Sequence, residues 1–427
     1  MKKLTILLVP VLTSGLILSS LACESGSEEA PSAPLVQPSS TITSEPPEIP
    51  EPVEIIIGNY TDITGPSANA SAVMNMALED MVRYYNEEDL IPGVRFKVIN
   101  YDSQVDPSND IPGYEWLKER GADVLYTYLP SAPITLKPRV EEDKLVLFSL
   151  VPDREAMDPP GYVFGPGSAL VEHHSYALLK WLAENDPDFP TDRPARIGGA
   201  GWATGYMDAA FEGAQEYVQA HPDQYDWVGG HITGFKFTWQ TEVEALKDCD
   251  YLIPPMIMNQ FAEQYRSSGY TGKFIGTALH TAFFSTIDKA DTWDEIDGML
   301  LIMPDSWWNE ECEMVDLAKE LLERYHPGRL EEMMRTSNGY LSVGPVYIIF
   351  ELIRETVNEV GPENFSSEAM YDAASDFSLE IDGRVTDSFN ETKRLSRNWF
   401  AIYEYDAEKR DLIRVNPGEW LDVIQEP

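Results

Sequence analysis

Basic residues are scarce in this 427-residue chain, and acidic residues are abundant. Lysine and arginine together number 31 against 72 aspartates and glutamates, which gives a formal net charge of -41 at pH 7. A surface this acidic repels the phosphates of nucleic acids and anionic lipid headgroups, so we exclude a DNA or RNA partner. We interpret the charge as a solvated or salt-adapted surface and not as an acidic binding function.

Cysteine is almost absent, with three residues in the whole chain. If Cys23 is set apart, Cys249 and Cys312 are too few for a disulfide scaffold and do not have metal-ligand spacing. A single bridge between them is allowed in an exported protein, and the sequence does not decide whether it forms. The adjacent His173 and His174 would face different directions on a helix, so we expect no metal site.

Motifs of common catalytic sites are also missing. The chain has no GxSxG nucleophile elbow, no HExxH, no GxxxxGK[ST] and no CxxC. Paired carboxylates are too frequent here to indicate acid–base catalysis. We therefore expect a protein that is not an enzyme and binds no cofactor. A hydrolase whose catalytic residues lie far apart in sequence is the alternative.

The N-terminus has the features of an export signal. MKKLTILLVPVLTSGLILSSLAC combines two lysines, a long apolar run and small residues before a cysteine. Its last residues, SSLAC, resemble a bacterial lipobox, although Ser20 stands where leucine is most common. We predict a signal peptide over residues 1–22 and a lipid on Cys23. An ordinary secretory signal with an incidental Cys23 is the alternative.

The segment that follows, up to residue 52, consists largely of serine, proline and glutamate. It has no aromatic or basic residue, so it cannot bury enough apolar surface to fold and should be an extended spacer. At about 3.1 Å per residue, it could hold a domain up to ~90 Å from the membrane. We expect an exported protein anchored on the extracytoplasmic face of a bacterial membrane, either at the cell surface or in the periplasm.

From residue 53 onwards, short apolar segments alternate with amphipathic ones. VEIIIGNY and VRFKVINYD predict strands on either side of a helix over residues 67–87, and the second half repeats the pattern from ARIGGAG to KFIGT. Such alternation indicates βαβ units and parallel sheets. There are too many units for one compact sheet, so we predict two doubly wound α/β lobes. Ligands in such folds bind at the carboxyl ends of the strands.

Several segments, in order, resemble a known family. GNYTDITGPSANASAV, NYDSQVDPSN, KFIGTALH, IDGMLLIMPDSWW and NGYLSVGPVYIIFELIRETVNEVG are similar to segments of the branched-chain amino-acid-binding proteins. These are the solute receptors of ABC importers, and they have the type I periplasmic-binding fold. The resemblance covers nearly all of residues 53–427.

The resemblance implies two lobes joined by a multi-strand hinge, with a ligand cleft between them. Residues 53–166 and 305–378 would form the first lobe, and residues 167–304 and 379–427 the second. The protein would close on a small polar solute, such as an amino acid, amide or amine, and deliver it to the permease subunits of an ABC importer. We expect a monomer. A ligand sensor of the same fold without a transport role is the alternative.

The glycines in GGAGWATG, at positions 199, 201 and 205, could belong to a dinucleotide site or to a turn at the cleft. Their spacing is GxGxxxG and not GxGxxG, and no acidic residue follows at the end of a second strand. The resemblance places this segment at the first strand of the second lobe. We therefore predict a cleft turn in which glycine lets the backbone approach a small ligand.

Residue by residue, the resemblance implies ligand contacts in both lobes. In the first lobe, Ser131 and Ala132 begin a helix whose free N–H groups suit a carboxylate, although Ser131 could be a plain N-cap. Ser149 and Asp153 follow the next strand. The family has a threonine where this chain has Asp153, and a carboxylate there should weaken the binding of aliphatic amino acids and favour an amide or amine.

In the second lobe, the resemblance implies that Asp297 accepts the ligand ammonium, with a solvated turn aspartate as the alternative. The family's tyrosine before the glycine turn is replaced here by Thr204, and Tyr206 or Trp202 could fill the space. Trp239 could form a wall of the cleft against an apolar or planar ligand. It could instead pack in the core, which is the more common place for a tryptophan.

Overall fold

A computed structural model describes residues 51–336 and 338–427, except for the side chain of Thr336. The predicted signal peptide, Cys23 and the spacer up to residue 50 lie outside the described residues. No helix within the described ranges is long and apolar enough to cross a membrane. Cys249 and Cys312 are both free thiols.

The first half of the described chain forms a five-stranded parallel sheet in the order β2-β1-β3-β4-β5. Strand β1, which lies between β2 and β3, is rich in isoleucine and mostly buried, because helices cover both faces of such a sheet. The strands are β1 (Val53–Thr61), β2 (Val94–Asp102), β3 (Val124–Thr127), β4 (Leu147–Ser149) and β5 (Val163–Phe164). We call this the first sheet.

The second sheet has eight strands, in the order β14-β13-β10-β9-β8-β6-β7, with β15 paired to β13. Its parallel part consists of β6 (Ala195–Trp202), β7 (Tyr225–Thr233), β8 (Tyr251–Ile253), β9 (Lys273–Thr277) and β10 (Leu300–Met303). A hairpin of β11 (Ser378–Ile381) and β12 (Arg384–Ser388) precedes its last strands, β13 (Trp399–Asp406), β14 (Asp411–Arg414) and β15 (Leu421–Asp422). The two doubly wound α/β lobes expected from the sequence are confirmed.

The second sheet differs from the expectation in one respect, because it is mixed and not wholly parallel. Strand β13 runs antiparallel to β10, and β14 and β15 run antiparallel to β13. Antiparallel neighbours can be joined by a tight turn without a crossover helix. The short connection from Asp406 to Asp411 is such a turn, so the chain completes the sheet with few additional residues.

Fourteen helices lie within the described ranges. They are α1 (Ala68–Glu87), α2 (Asp110–Glu119), α3 (Ala132–Asp143), α4 (Arg154–Met157), α5 (Val171–Asn185), α6 (Gly205–Ala220), α7 (Gln240–Ala245), α8 (Asn259–Ser267), α9 (Phe284–Ala290), α10 (Trp293–Ile296), α11 (Glu313–Tyr325), α12 (Leu330–Thr336), α13 (Val343–Val360) and α14 (Ser367–Ala373). Helices α11 and α13 contact α1, whereas α5 contacts α6 and the second sheet. Helices α11 and α13 therefore belong with the first sheet, although they follow strands of the second sheet in the sequence.

The chain passes between the two sheets three times. The first crossing runs from β5 to α5, the second from β10 to α11, and the third from β12 to β13. The first and third crossings are paired through their backbones, since Gly165 N donates to Arg394 O at 2.7 Å and Ser396 N donates to Gly165 O at 2.9 Å. We call these three segments the hinge.

The GGAGWATG segment forms the end of β6, a turn and the start of α6, as predicted. The reason for two of its glycines differs from the one that we expected. A Cβ on Gly199 would lie 2.5 Å from the ring of Phe211, and one on Gly201 would lie 2.9 Å from Met207 Cε. Both glycines therefore let α6 pack closely against β6. Gly205 has open space around it.

Candidate functional site

An open cavity of about 470 Å³ lies at the carboxyl ends of both sheets. One wall is α4, which follows β4 of the first sheet, and the other is formed by the first turns of α5 and α6. Gly205 and Ala209 line the α6 side. The cavity is strongly acidic, and its charged lining residues are Asp153, Arg154, Glu155, Asp158, Glu172, Asp208 and Glu212.

Arg154 is the single cation among these lining residues, and it is already bonded. Its Nη2 lies 3.2 Å from Glu172 Oε1 and 3.2 Å from Glu216 Oε2, and Tyr176 OH also contacts Glu216. Hydrogen bonds to Glu216 raise the pKa of Arg154. Burial raises the pKa of Glu172, whose side chain is only 6% exposed. A ligand carboxylate would have to compete with two glutamates for this guanidinium.

Polar groups also gather where β1, β2 and β3 end. Asp62 accepts from Gly65 N at 2.6 Å and from Ser67 N at 2.7 Å, so it shapes the turn before α1. Asp102, the last residue of β2, accepts from Ile63 N at 2.8 Å. Hydrogen bonds from this turn lower the pKa of Asp102, although its slight burial acts in the opposite direction. The Asp102 carboxylate therefore stays charged at the edge of the first sheet.

The predicted residues of the first lobe all lie at this carboxyl edge. Ser131 is the N-cap of α3, but its side chain is exposed and makes no capping hydrogen bond. Ala132 is buried behind it. Ser149 closes β4 and is fully buried, and its Oγ has no hydrogen-bond partner among the described residues. Asp153 lines the cavity and caps α4 by accepting from Glu155 N at 2.8 Å.

Three predicted residues of the second lobe lie at the carboxyl ends of its strands. Trp202 closes β6, and its Nε1 donates to Lys236 O at 2.8 Å. Thr204 caps α6 by accepting from Met207 N at 3.3 Å. The hydroxyl of Tyr206 contacts Thr277 Oγ1 at the end of β9. Trp202 also packs against Phe235, which is 74% exposed.

The structure places the other two predicted residues elsewhere. Trp239 has no exposed surface and packs against Trp202 and Phe261, as expected of a core residue and not of a cleft wall. Asp297 precedes β10, so it lies at the amino end of a parallel strand, opposite the cavity. Its carboxylate is exposed and accepts from Ala407 N at 2.8 Å. This is the turn aspartate that we considered as the alternative.

The prediction did not include the charged residues that line the cavity beyond Asp153. Arg154 directly follows Asp153 in sequence, so proximity alone could have suggested it. Glu172, Asp208 and Glu212 lie on α5 and α6, and in so acidic a chain nothing in the sequence distinguishes them from other acids. Across the described ranges, no group of three or more His, Cys, Asp or Glu residues could hold a metal ion.

A second ionic cluster lies in the hinge. Arg397, on the third crossing, donates from Nη2 to Asp305 Oδ1 of the second crossing at 2.8 Å, and its Nη1 lies 3.5 Å from Asp387 Oδ2. Asp387 also accepts from Ser396 Oγ at 2.6 Å, and that hydroxyl accepts from Gly167 N of the first crossing at 2.7 Å. One buried network therefore touches all three crossings.

Solved structures identify the fold. No protein-family model matches the chain, and no curated protein matches it. The chain is similar to a branched-chain amino-acid ABC transporter protein from Thermus thermophilus, solved with bound valine, with a TM-score of 0.74 and 19% identity over 88% of this chain and 98% of that one. At this identity the likeness establishes the fold, which is that of type I periplasmic-binding proteins.

Other structures with the same fold bind different compounds. A fatty-acid ABC transporter substrate-binding protein from Thermomonospora curvata matches with a TM-score of 0.71 and 14% identity, over 88% of this chain and 95% of that one. An ABC-transporter solute-binding protein from Rhodopseudomonas palustris, in complex with 3,4-dihydroxybenzoic acid, also matches. The TM-score is 0.66 and the identity 14%, over 88% of this chain and 99% of that one. These neighbours are solute-binding proteins and not enzymes.

Proposed function

We propose that this chain is an extracytoplasmic solute-binding protein, which closes two lobes on a small polar solute and delivers it to the permease subunits of an ABC importer. The observation with most weight is the open cavity that α4 of the first lobe shares with α5 and α6 of the second. Ligand contacts divided between two hinged lobes are the usual basis of domain closure. The chemistry is binding only, without conversion of the solute.

Closure requires two bodies, and we propose residues 53–166 with 305–388 as one and residues 167–304 with 389–427 as the other. The last boundary, expected at residue 378, thus lies at the third crossing, after β12. The sheet membership of β1–β5 and of β6–β10 supports this division, as does the packing of α11 and α13 on α1. Ligand should reduce the radius of gyration in solution scattering and change the fluorescence of Trp202. A saturated complex with an unchanged scattering curve would argue against closure.

We propose an amine-bearing or neutral amide solute over an aliphatic amino acid. The cavity has six carboxylates and one guanidinium in its lining, and that guanidinium is paired. Two like charges about 4 Å apart repel by about 4 kcal/mol at an effective dielectric of 20, enough to weaken carboxylate binding strongly. The valine in the Thermus protein and the dihydroxybenzoate in the Rhodopseudomonas protein indicate that the fold alone does not select the ligand.

A thermal-shift panel of amines, amides, zwitterionic amino acids and carboxylates tests this function. A true ligand at 100 times its dissociation constant should add about 2.7 kcal/mol to the stability. Asp153→Thr should improve leucine binding, whereas Asp223→Thr, an exposed site at the amino end of β7, should not. Micromolar or tighter leucine binding by the parent would contradict the ligand class. Conversion of any bound compound into a product would overturn the binding-protein function.

We also propose that the chain is cleaved before Cys23, lipidated there and held outside the cytoplasm by its Ser/Pro/Glu spacer, as a monomer. The lipobox-like SSLAC and the composition of the spacer support this. Cys23→Ser should release the protein from membranes or leave it unprocessed. A variant that fractionates and matures like the parent would exclude the lipid anchor. Genes for a permease and an ATPase beside this one would favour transport over sensing.

A further inference from the structure

We propose that Arg154 is a reversible electrostatic clasp between the two lobes, and that it sets the balance between the open and closed forms of the ligand-free protein. Arg154 is the first residue of α4, which follows β4 of the first sheet. Its partners Glu172, Tyr176 and Glu216 lie on α5 and α6, beyond the first hinge crossing. Any rotation of one lobe against the other must therefore change these distances.

The charges around Arg154 explain why a single arginine can affect the balance between the open and closed forms. Asp153, Glu155 and Asp158 lie on the first-lobe wall of the cavity. Their negative charge has the same sign as that of the acids on the facing wall, which α5 and α6 form. Among the described residues that line the cavity, Arg154 is the only basic one. Without it, two acidic walls would face each other and repel, which favours separation of the lobes.

The exposure of Arg154 and Glu216 indicates that the contact between them is reversible. The side chain of Arg154 is 46% exposed, so it can exchange its protein partners for water at little cost. Glu216 is 33% exposed, and hydrogen bonds from Arg154 and Tyr176 hold its pKa below the usual value, although burial alone would raise it. Glu172 is 6% exposed, so its carboxylate gains most from a nearby cation.

The clasp rests on the lobe closure proposed above but not on any ligand. Its test uses ligand-free protein, so a wrong ligand class or a wrong transport role would leave the outcome unaffected. Spin labels report the distance between lobes, for example on Glu119→Cys of α2 and Gln219→Cys of α6, both exposed in the structure. The background replaces Cys23, Cys249 and Cys312 by alanine.

Arg154→Gln should increase the ratio of open to closed molecules about two- to fivefold, the range expected for a partly exposed ion-pair network. Glu216→Gln should shift it in the same direction and keeps the buried Glu172 paired, so it remains informative if Arg154→Gln folds poorly. Arg154→Lys should be intermediate, because it keeps the charge but loses the forked geometry. At about 1 M salt the differences should shrink.

Arg193→Gln is the matched control. Arg193 is 48% exposed and forms two hydrogen bonds to Asp250, at 2.6 and 2.7 Å, but both residues belong to the second lobe. Its loss should leave the distance distribution unchanged. If Arg154→Gln and Glu216→Gln both overlay the parent, or if Arg193→Gln shifts the distances as much as they do, the clasp does not exist.

Discussion

The two arginine clusters that link the lobes differ mainly in how much the arginine itself contacts water. Arg397 in the hinge is 8% exposed and bonds Asp305 and the fully buried Asp387, whereas Arg154 at the cleft is 46% exposed. A buried charge that loses its partner cannot be solvated, so the hinge cluster should stay intact while the lobes move. An exposed one can. The same residue types therefore form a fixed pivot in one place and a releasable contact in the other.

Two adjacent histidines lie near the two arginine clusters, one near each. His173 and His174, at the start of α5, are both buried, and burial lowers the pKa of each to about 4. The charge of Arg154 contributes to the lowering at His173, and that of Arg397 to the lowering at His174. Burial is the largest cause at both positions, and each arginine adds a smaller contribution.

The largest expected effect comes from breaking the hinge cluster. Arg397→Met should lower the free energy of unfolding by about 3–5 kcal/mol, because it removes the ion-pair partner of the fully buried Asp387. Urea denaturation measures this, with Arg193→Met as the exposed control, which should cost about 1 kcal/mol or less. A cost for Arg397→Met no larger than that of the control would mean that the hinge cluster is not a buried pivot.

The next effect is a pH dependence of stability. Because the folded pKa of His174 lies near 4 and the unfolded value near 6.5, the unfolded chain binds the proton first on acidification. Stability is then complete above about pH 6.5 and falls by up to about 3 kcal/mol per histidine towards pH 4. The profile of His174→Asn should fall less steeply than that of the parent. Parallel profiles would show that His174 is not held neutral by the fold.

Ionic strength should separate the two clusters further. Glu216→Gln should cost about 1 kcal/mol or less at low salt, since this side chain is 33% exposed and Glu172 keeps its partner, and almost nothing at about 1 M salt. The cost of Arg397→Met should persist, because buried pairs are screened much less. Denaturation of both variants at two salt concentrations tests this. Equal salt sensitivity would remove the distinction between pivot and clasp.

The smallest effect is expected at Asp297, which belongs to neither cluster. Asp297→Ala removes one exposed hydrogen bond from Ala407 N, so it should cost about 1 kcal/mol or less. It should not change the affinity for any ligand found in the panel, because Asp297 lies at the amino end of β10. Calorimetry with that ligand decides the point, and a tenfold loss of affinity would restore Asp297 to the site.

Local patterns in the sequence were sufficient to predict most of the parallel strands and the two-lobe α/β fold, but not the antiparallel strands β11–β15. Strands such as VRFKVINYD and KFIGT begin and end where the pattern predicts. KFIGT is buried along most of its length, as expected of a parallel strand covered on both faces, whereas VRFKVINYD lies at the edge of the first sheet and starts with alternating buried and exposed residues. The position of a residue after a strand likewise predicts that it lies at the carboxyl edge, as for Ser149, Asp153 and Trp202. The glycine turn was also predicted from its neighbours, although its packing against Phe211 was not.

The ionic contacts between the lobes were decided by the tertiary structure alone. Arg154 and Glu216 are 62 residues apart, and Arg397 and Asp305 are 92 apart, in a chain where acids outnumber bases by more than two to one. With so many carboxylates, composition cannot select the partner of a given arginine, nor decide whether that arginine is buried. Strand order, the three hinge crossings and the depth of each site in the fold determine both, because the strength of a charge pair depends on the water around it.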